Sequence, residues 1–170
     1  MSSDLQKAVF LDRDGVINEE RGQYTWQPEE FRINPGVFDA LRRLQDAGYL
    51  LIIISNQGGI AKGLYTKGDF DRLTEYMTSL FSTNGIRIEE TYYCPHHPDF
   101  GRCICRKPDS LLPEKAIARF RIDPGQSWFI GDASRDEAAG KSAGLKTLLI
   151  RPNSDLGEAV AAILGNHRAF

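Results

Sequence analysis

Two carboxylates follow directly after a short apolar run near the N-terminus. Residues 8–11 read Ala-Val-Phe-Leu and are predicted to form a buried strand, and Asp12 and Asp14 follow at its carboxyl end. In open α/β sheets, ligands bind beyond the carboxyl ends of the strands, and side chains two positions apart in an extended segment point the same way. Two carboxylates held this close favour a bound cation, and Mg²⁺ takes carboxylate and carbonyl oxygens. The alternative is a polar turn, in which Asp-Gly is common.

The second apolar run also ends in residues suited to binding an anion. Residues 49–54 (Tyr-Leu-Leu-Ile-Ile-Ile) are predicted to be a central strand, and Ser55-Asn56-Gln57-Gly58-Gly59 follows it. A hydroxyl, side-chain amides and glycine backbone N–H groups at such a place can hold phosphate oxygens. The other interpretation is a glycine turn with a polar start.

Two later stretches carry charged groups that could serve the same site. Asp132 follows a predicted strand at 127–130 and is predicted to be a further metal ligand. Asp136 is either a ligand or simply an acid favoured by the dipole in the first turn of a helix. Lys107 precedes Pro108, which keeps it out of a helix, and its charge would offset phosphate and carboxylates.

The three cysteines of the chain all lie between Cys94 and Cys105. This clustering favours a metal site over a disulfide framework. Cys94, His96, Cys103 and Cys105 would make a closed tetrahedral Zn²⁺ site of the structural kind. His97 is the alternative imidazole ligand.

Composition sets broad bounds on the function. The chain has 170 residues, 41% of them hydrophobic and 26% charged, which is ordinary for a globular protein. A net charge of −2 gives no electrostatic reason to expect nucleic acid or an anionic membrane as a partner. Without an apolar run long enough to cross a membrane or a signal-peptide core, we expect a cytoplasmic location.

Strands and helices alternate along the chain. The apolar patterns and turn residues predict strands at 8–11, 49–54, 91–94, 127–130 and 145–150, and helices at 34–48, 66–85, 111–120, 134–143 and 155–164. Asn34-Pro35 is predicted to cap and begin the first helix, and Thr66 with Asp69 to form a capping box on the second. This order predicts a parallel sheet covered on both faces, a Rossmann-like three-layer α/β/α sandwich.

The segment Asp12-Arg13-Asp14-Gly15-Val16 resembles the first motif of the haloacid dehalogenase (HAD) superfamily of phosphohydrolases. Ser55, Lys107 and Gly131-Asp132-x-x-x-Asp136 match its other three motifs, in order. The resemblance implies that Asp12 is a nucleophile forming an aspartyl-phosphate and that Asp14 is the acid and base. It also implies that Ser55 and Lys107 bind the phosphoryl oxygens.

The same resemblance implies a catalytic Mg²⁺ held by Asp12, the backbone carbonyl of Asp14, and Asp132. Arg13 is expected to point away from the site. The whole chain, 1–170, is expected to be one capless phosphatase domain with a zinc loop at about 94–105, acting as a monomer on a small sugar phosphate.

Three segments are similar to the D,D-heptose 1,7-bisphosphate phosphatases, whose near relatives are the histidinol-phosphate phosphatases. They are Cys-Pro-His-His-Pro, Ser-Asn-Gln-Gly-Gly-Ile-Ala-Lys-Gly and Cys-Arg-Lys-Pro. The six residues between His96 and Cys103 make a short loop nearer to the histidinol type, whereas the doubled histidine and residues 59–63 fit the heptose type. The resemblance favours the heptose substrate of lipopolysaccharide synthesis, with histidinol phosphate as the alternative.

The heptose resemblance also implies a set of substrate contacts. These residues are Glu20, Arg21, Gly22, Gln23, Asn56, Gln57, Gly58 and Arg106. Arg106 suits a second phosphate because its planar fork binds oxygens in pairs, although it could equally be a surface arginine. A non-enzymatic alternative is a phosphorylated receiver domain, but in such a switch Asp14 would have no acid–base role.

Overall fold

The computed structural model describes residues 4–165, which form a five-stranded parallel sheet with helices on both faces. The strands are β1 (Lys7–Leu11), β2 (Tyr49–Asn56), β3 (Glu90–Cys94), β4 (Trp128–Gly131) and β5 (Lys146–Leu149). The helices are α1 (Val37–Asp46), α2 (Lys67–Thr83), α3 (Leu111–Phe120), α4 (Ser134–Ser142) and α5 (Leu156–Gly165). The predicted three-layer α/β/α sandwich is confirmed.

β1 lies at the centre of the sheet and is buried on both faces. Its side chains alternate, so that Val9 and Leu11 pack in one layer with α1, α2 and α5. Ala8 and Phe10 pack in the opposite layer, against Phe129 of β4 and the apolar side of α3. Continuous apolar sequence is therefore what this strand requires.

The strand order β3-β2-β1-β4-β5 places β1 between β2 and β4. The chain runs outward from β1 in one direction through β2 and β3, and in the other through β4 and β5. Such a reversal of order opens a crevice at the carboxyl ends of the two central strands. The residue that follows β1, Asp12, donates its backbone N–H to the carbonyl of Ile130 in β4 at 3.1 Å. The end of β1 is thus held beside the end of β4.

The two predicted helix starts have different outcomes. The capping box of α2 is confirmed: Thr66 accepts from the backbone N–H of Asp69, whose carboxylate accepts from the Thr66 N–H at 2.8 Å. The predicted start of α1 at Asn34-Pro35 is wrong, because the helix begins at Val37 with Gly36 at the N-cap position. The side chain of Asn34 is buried, and its Nδ2 group donates to the carbonyl of Val16 at 3.3 Å.

The connections above the crevice are short. In the described part of the chain, residues 12–36 and 57–66 contain a single 3₁₀ turn, Pro28–Glu30, and no longer helix. They cannot form a separate cap domain, so the prediction of a capless fold is confirmed. None of the helices in residues 4–165 combines the length and the apolar content that a membrane span requires.

Candidate active site

A buried lysine joins two carboxylates at the centre of the crevice. Lys107 Nζ lies 2.8 Å from Asp12 Oδ1 and 2.7 Å from Asp136 Oδ1, and it donates to the carbonyl of Ile54 at 2.9 Å. Lys107 and Asp12 are 1% and 4% exposed, so these charges meet in a medium that screens them little. Burial opposes the charge of Lys107, but the two carboxylates outweigh it and raise the pKa of the lysine.

Asp136 reaches this lysine because its own backbone surroundings fix it. Its Oδ2 accepts from the backbone N–H groups of Asp132 and Ala133 at 3.1 and 3.2 Å. A side chain on Gly131 would collide with the Asp136 carboxylate. Asp136 is therefore more than an acid at a helix N-terminus: it positions Lys107.

Three carboxylates form a group that could hold a cation. Oxygens of Asp12, Asp132 and Asp136 all lie within 4.8 Å of one another. Asp132 Oδ1 is buried and has no hydrogen-bond partner among the described residues. Gly15, at φ +89°, leaves room for Asp132, because a Cβ there would collide with its carboxylate. Buried carboxylate oxygens without donors are the donor set that a hard cation requires.

The electrostatics of this group also point to a missing positive charge. Burial raises the pKa of Asp12 to about 7; Lys107 lowers it and Asp136 adds to the rise. Burial and Asp136 likewise raise the pKa of Asp132. A divalent cation bound between these oxygens would return both groups to the carboxylate form.

Asp14 is held on both of its oxygens. Oδ1 accepts from Arg13 Nη2 at 3.1 Å and from Asn18 Nδ2 at 3.0 Å, and Oδ2 accepts from Gln57 Nε2 at 3.3 Å. The expectation that Arg13 points away from the site is wrong. Its guanidinium, almost fully buried, pairs with Asp14 and also donates to the Thr25 carbonyl at 2.7 Å.

The side chains that follow β2 bind different parts of the site. Gln57 Nε2 donates to Ser55 Oγ at 2.7 Å, and the side-chain oxygen Oε1 of Gln57 accepts from the hydroxyl of Tyr65. The Asn56 amide binds both backbone groups of Lys107, at 3.1 and 3.0 Å. That Asn56 contacts substrate stays a prediction; in the structure its side-chain amide holds the backbone at Lys107.

The loop predicted to contact the sugar is held by the end of the sheet. Asn153, with φ +64°, accepts from the Glu20 N–H at 2.6 Å and donates to the Glu20 carbonyl at 3.0 Å. The Glu20 carboxylate accepts from the Gly22 N–H at 2.7 Å, and Arg21 pairs with Glu30 at 3.1 Å. The side chain of Arg21 is thus already paired within the loop.

Arg106 lies beside the glycine turn. Its Nη1 donates to the His96 carbonyl at 3.1 Å, and a Cβ on Gly58 would lie 3.1 Å from the same nitrogen. Arg106 and Lys107 line a cavity of about 240 Å³ beside the cysteine-containing loop. The guanidinium of Arg106 therefore belongs to the residue next to the buried lysine in the chain.

The cysteine loop brings four metal-ligand atoms together. Sulfur atoms of Cys94, Cys103 and Cys105 and a ring nitrogen of His96 lie within 4.8 Å of one another, and His96 Nδ1 is 3.2 Å from Cys105 Sγ. The cysteines are free thiols, and burial raises the pKa of Cys94. His97 is outside this group, and its Nδ1 accepts from the Asp99 N–H at 3.2 Å. Cys₃His is a set that could hold Zn²⁺.

Four polar residues of the site are missing from the sequence-based set: Arg13, Asn18, Tyr65 and Asn153. An arginine placed between two acids was the one available signal for Arg13. No sequence signal pointed to Asn153, since its partner Glu20 lies far away in the sequence.

Comparison with known proteins shows what the chain resembles. A family model described as HAD-hydrolase-like matches residues 104–167. The D-glycero-beta-D-manno-heptose-1,7-bisphosphate 7-phosphatase of Haemophilus ducreyi is 43% identical over 164 residues, which cover 92% of this chain and 87% of that protein. The D-glycero-alpha-D-manno-heptose-1,7-bisphosphate 7-phosphatase of Campylobacter jejuni is 42% identical over 144 residues, 85% of this chain and 81% of that protein.

A solved structure is also similar to this chain. A crystal structure of a D,D-heptose 1,7-bisphosphate phosphatase from B. bronchiseptica, complexed with magnesium and phosphate, is similar with a TM-score of 0.81 at 30% identity. The similarity covers 92% of this chain and 86% of that one.

Proposed function

Because the chain belongs to the D-glycero-D-manno-heptose-1,7-bisphosphate 7-phosphatase family of the HAD superfamily, and is therefore a phosphatase, we propose that it removes the 7-phosphate of this sugar. The observation that carries the proposal is the buried Asp12–Lys107–Asp136 array at the switch point of the sheet. It combines a carboxylate nucleophile with a fixed cation, the two elements that phosphoryl transfer from a monoester needs.

The residues would divide the reaction between them. Asp12 attacks phosphorus as the bond to the sugar oxygen breaks, while Lys107 and Ser55 hold the phosphoryl oxygens. Asp14 gives its proton to the departing sugar oxygen. In the second half, Asp14 takes a proton from water, which attacks the aspartyl-phosphate and frees Asp12 and inorganic phosphate. Splitting one displacement into two makes each step easier.

The carboxylate group fits Mg²⁺, and we propose Asp12, Asp132 and the backbone carbonyl of Asp14 as its protein ligands. When bound, the ion neutralises charge on the phosphoryl oxygens. The proposal rests on the unpartnered oxygen of Asp132 and on the raised pKa of Asp12. We further propose that Cys94, His96, Cys103 and Cys105 bind Zn²⁺, which braces the loop carrying Arg106 and Lys107.

We propose that the second phosphate of the sugar binds Arg106. The support is the position of its guanidinium beside Gly58 and along the 240 Å³ cavity next to Lys107. A charge-assisted contact of this kind is worth about 1.5–3 kcal/mol, or roughly ten- to a hundredfold in specificity. Histidinol phosphate, with one phosphate and a cationic amine, would gain nothing from Arg106.

The test compares both substrates on matched variants. We expect kcat/KM for heptose 1,7-bisphosphate to exceed that for histidinol phosphate by at least about tenfold, and Arg106→Ala to narrow this gap. Arg119→Ala is the control, because Arg119 is an exposed residue of α3 that pairs with Glu90. Assaying both anomers of the sugar then gives the anomer preference. A preference for histidinol phosphate, or a gap unchanged in Arg106→Ala, would contradict the substrate assignment.

A further inference from the structure

Arg13 buries a guanidinium that is only partly paired. Its side chain is 2% exposed, and its ion pair is with Asp14. Nε and Nη1 are buried and have no hydrogen-bond partner among the described residues. Burying an incompletely paired guanidinium costs stability. Such local costs concentrate at functional sites.

The contacts of Arg13 distinguish the two oxygens of Asp14. A carboxylate oxygen has two lone pairs. Both lone pairs of Oδ1 accept hydrogen bonds, one from Arg13 Nη2 at 3.1 Å and one from Asn18 Nδ2 at 3.0 Å. Oδ2 has one donor within the described residues, Gln57 Nε2, at the longer distance of 3.3 Å. One lone pair of Oδ2 therefore stays available.

Arg13 also fixes where the carboxylate lies. Besides Asp14, the Nη2 group donates to the Thr25 carbonyl at 2.7 Å, which anchors the guanidinium to the loop over the site. Gln57, on the other side of Asp14, is itself held by Tyr65 and Ser55. The carboxylate thus has one saturated oxygen against Arg13 and one open oxygen.

We infer that Arg13 is a positioning residue for acid–base catalysis, which saturates Asp14 Oδ1 so that Oδ2 carries the proton. This inference rests on the proposed function. In the first step, Oδ2–H breaks and the proton goes to the sugar oxygen as its bond to phosphorus breaks. In the second step, Oδ2 takes a proton from the water whose oxygen bonds to phosphorus. In this role Arg13 acts only through Asp14.

The inference is tested by the dependence of the rate on the leaving group. A sugar alkoxide needs a proton to leave, whereas 4-nitrophenolate leaves without one, so misplacing the acid slows the phosphorylation of Asp12 by the sugar phosphate only, while hydrolysis of the shared aspartyl-phosphate is slowed equally for both substrates. The first half-reaction is therefore measured in single-turnover experiments: for Arg13→Met we expect release of the sugar to slow by about 10- to 100-fold and release of 4-nitrophenolate to slow less than about threefold. Arg32→Met, an exposed arginine of the same loop, is the matched control.

Two further variants keep the test decisive. Arg13→Lys retains one charged donor and should show the same selective loss to a smaller degree; it carries the test if Arg13→Met does not fold. Equal losses on both substrates, or no loss on either, would overturn the inference. Asp14→Asn is measured alongside: if its loss in the first half-reaction is not selective for the sugar phosphate, the proposed acid role itself fails. If only the Arg13 variants lack selectivity, the role of Asp14 stands and that of Arg13 does not.

Discussion

Asp12 is held in the folded protein at a cost that depends on pH. Burial raises its pKa from 3.8 to about 7, so the folded state binds a proton at this site more tightly than the unfolded state does. The stability this proton supplies is fully present below about pH 4 and is lost as the pH rises through about 7. Lys107, whose pKa is raised above 10.5, stays charged throughout this range.

The size of the effect follows from the shift. A difference of about three pKa units, at about 1.4 kcal/mol each, amounts to about 4 kcal/mol of lost stability above pH 7. Asp12→Asn has no proton to lose and keeps an oxygen for Lys107 to donate to. We therefore expect this variant to exceed wild type at about pH 7.5 by up to about 4 kcal/mol, or about 8–16 °C in Tm. The two proteins should converge near pH 4.5.

The measurement is urea and thermal unfolding of both proteins between about pH 4.5 and about pH 8. Buffers contain no Mg²⁺, and no chelator is added, so that the cysteine loop is left undisturbed. Asp46→Asn, an exposed aspartate of α1, is the control and should follow wild type. The reasoning is refuted if the free energies of unfolding of wild type and Asp12→Asn change in parallel with pH. It is also refuted if Asp12→Asn is less stable than wild type at neutral pH.

Three other residues give separate tests. Lys107→Met leaves the carboxylates of the array without their buried cation and should lower the free energy of unfolding by about 3–5 kcal/mol at neutral pH; an unchanged urea midpoint would show that the array is not what holds the site. Elemental analysis should find zinc in wild type and none in Cys103→Ser, which should also unfold at lower temperature, since structural zinc contributes folding energy; a metal-free wild type of undiminished stability would contradict the zinc site. Asn153→Ala releases the Glu20 loop and should raise KM for the heptose bisphosphate while the rate on 4-nitrophenyl phosphate stays as in wild type; equal effects on both substrates would mean that the loop does not select the sugar.

Much of this site could be predicted because parallel strands bring their carboxyl ends together. Apolar runs located β1, β2 and β4, and the polar residues that follow each run then had to meet. Asp12, Ser55 and Asp132 needed no more than this to be placed at one edge of the sheet. The family resemblance favoured His96 over His97, and His96 is the imidazole that lies beside the thiols.

The remaining features depend on contacts between segments far apart in the sequence. Asn34 matches the sequence pattern of a helix N-cap, but its side-chain amide donates to the Val16 carbonyl, and α1 begins at Val37. Asn56 was predicted to contact substrate, and nothing in the sequence indicated that its side-chain amide would also bind both backbone groups of Lys107, 51 residues away. Local propensity cannot foresee such competition, because each polar group goes to whichever partner the tertiary fold brings nearest.

The central claim is that Asp12 forms a covalent bond to phosphorus, and one experiment addresses it directly. In Asp14→Asn the nucleophile and Lys107 remain, but the base that activates water is gone, so the aspartyl-phosphate should accumulate with 4-nitrophenyl phosphate, whose leaving group needs no acid. The sample is quenched in acid, digested and analysed by mass spectrometry. We expect a peptide heavier by one phosphoryl group, with the modification on Asp12. No such peptide should be found in the digest of Asp12→Asn. Phosphate found on another residue, or burst-free turnover with no labelled peptide, would contradict it.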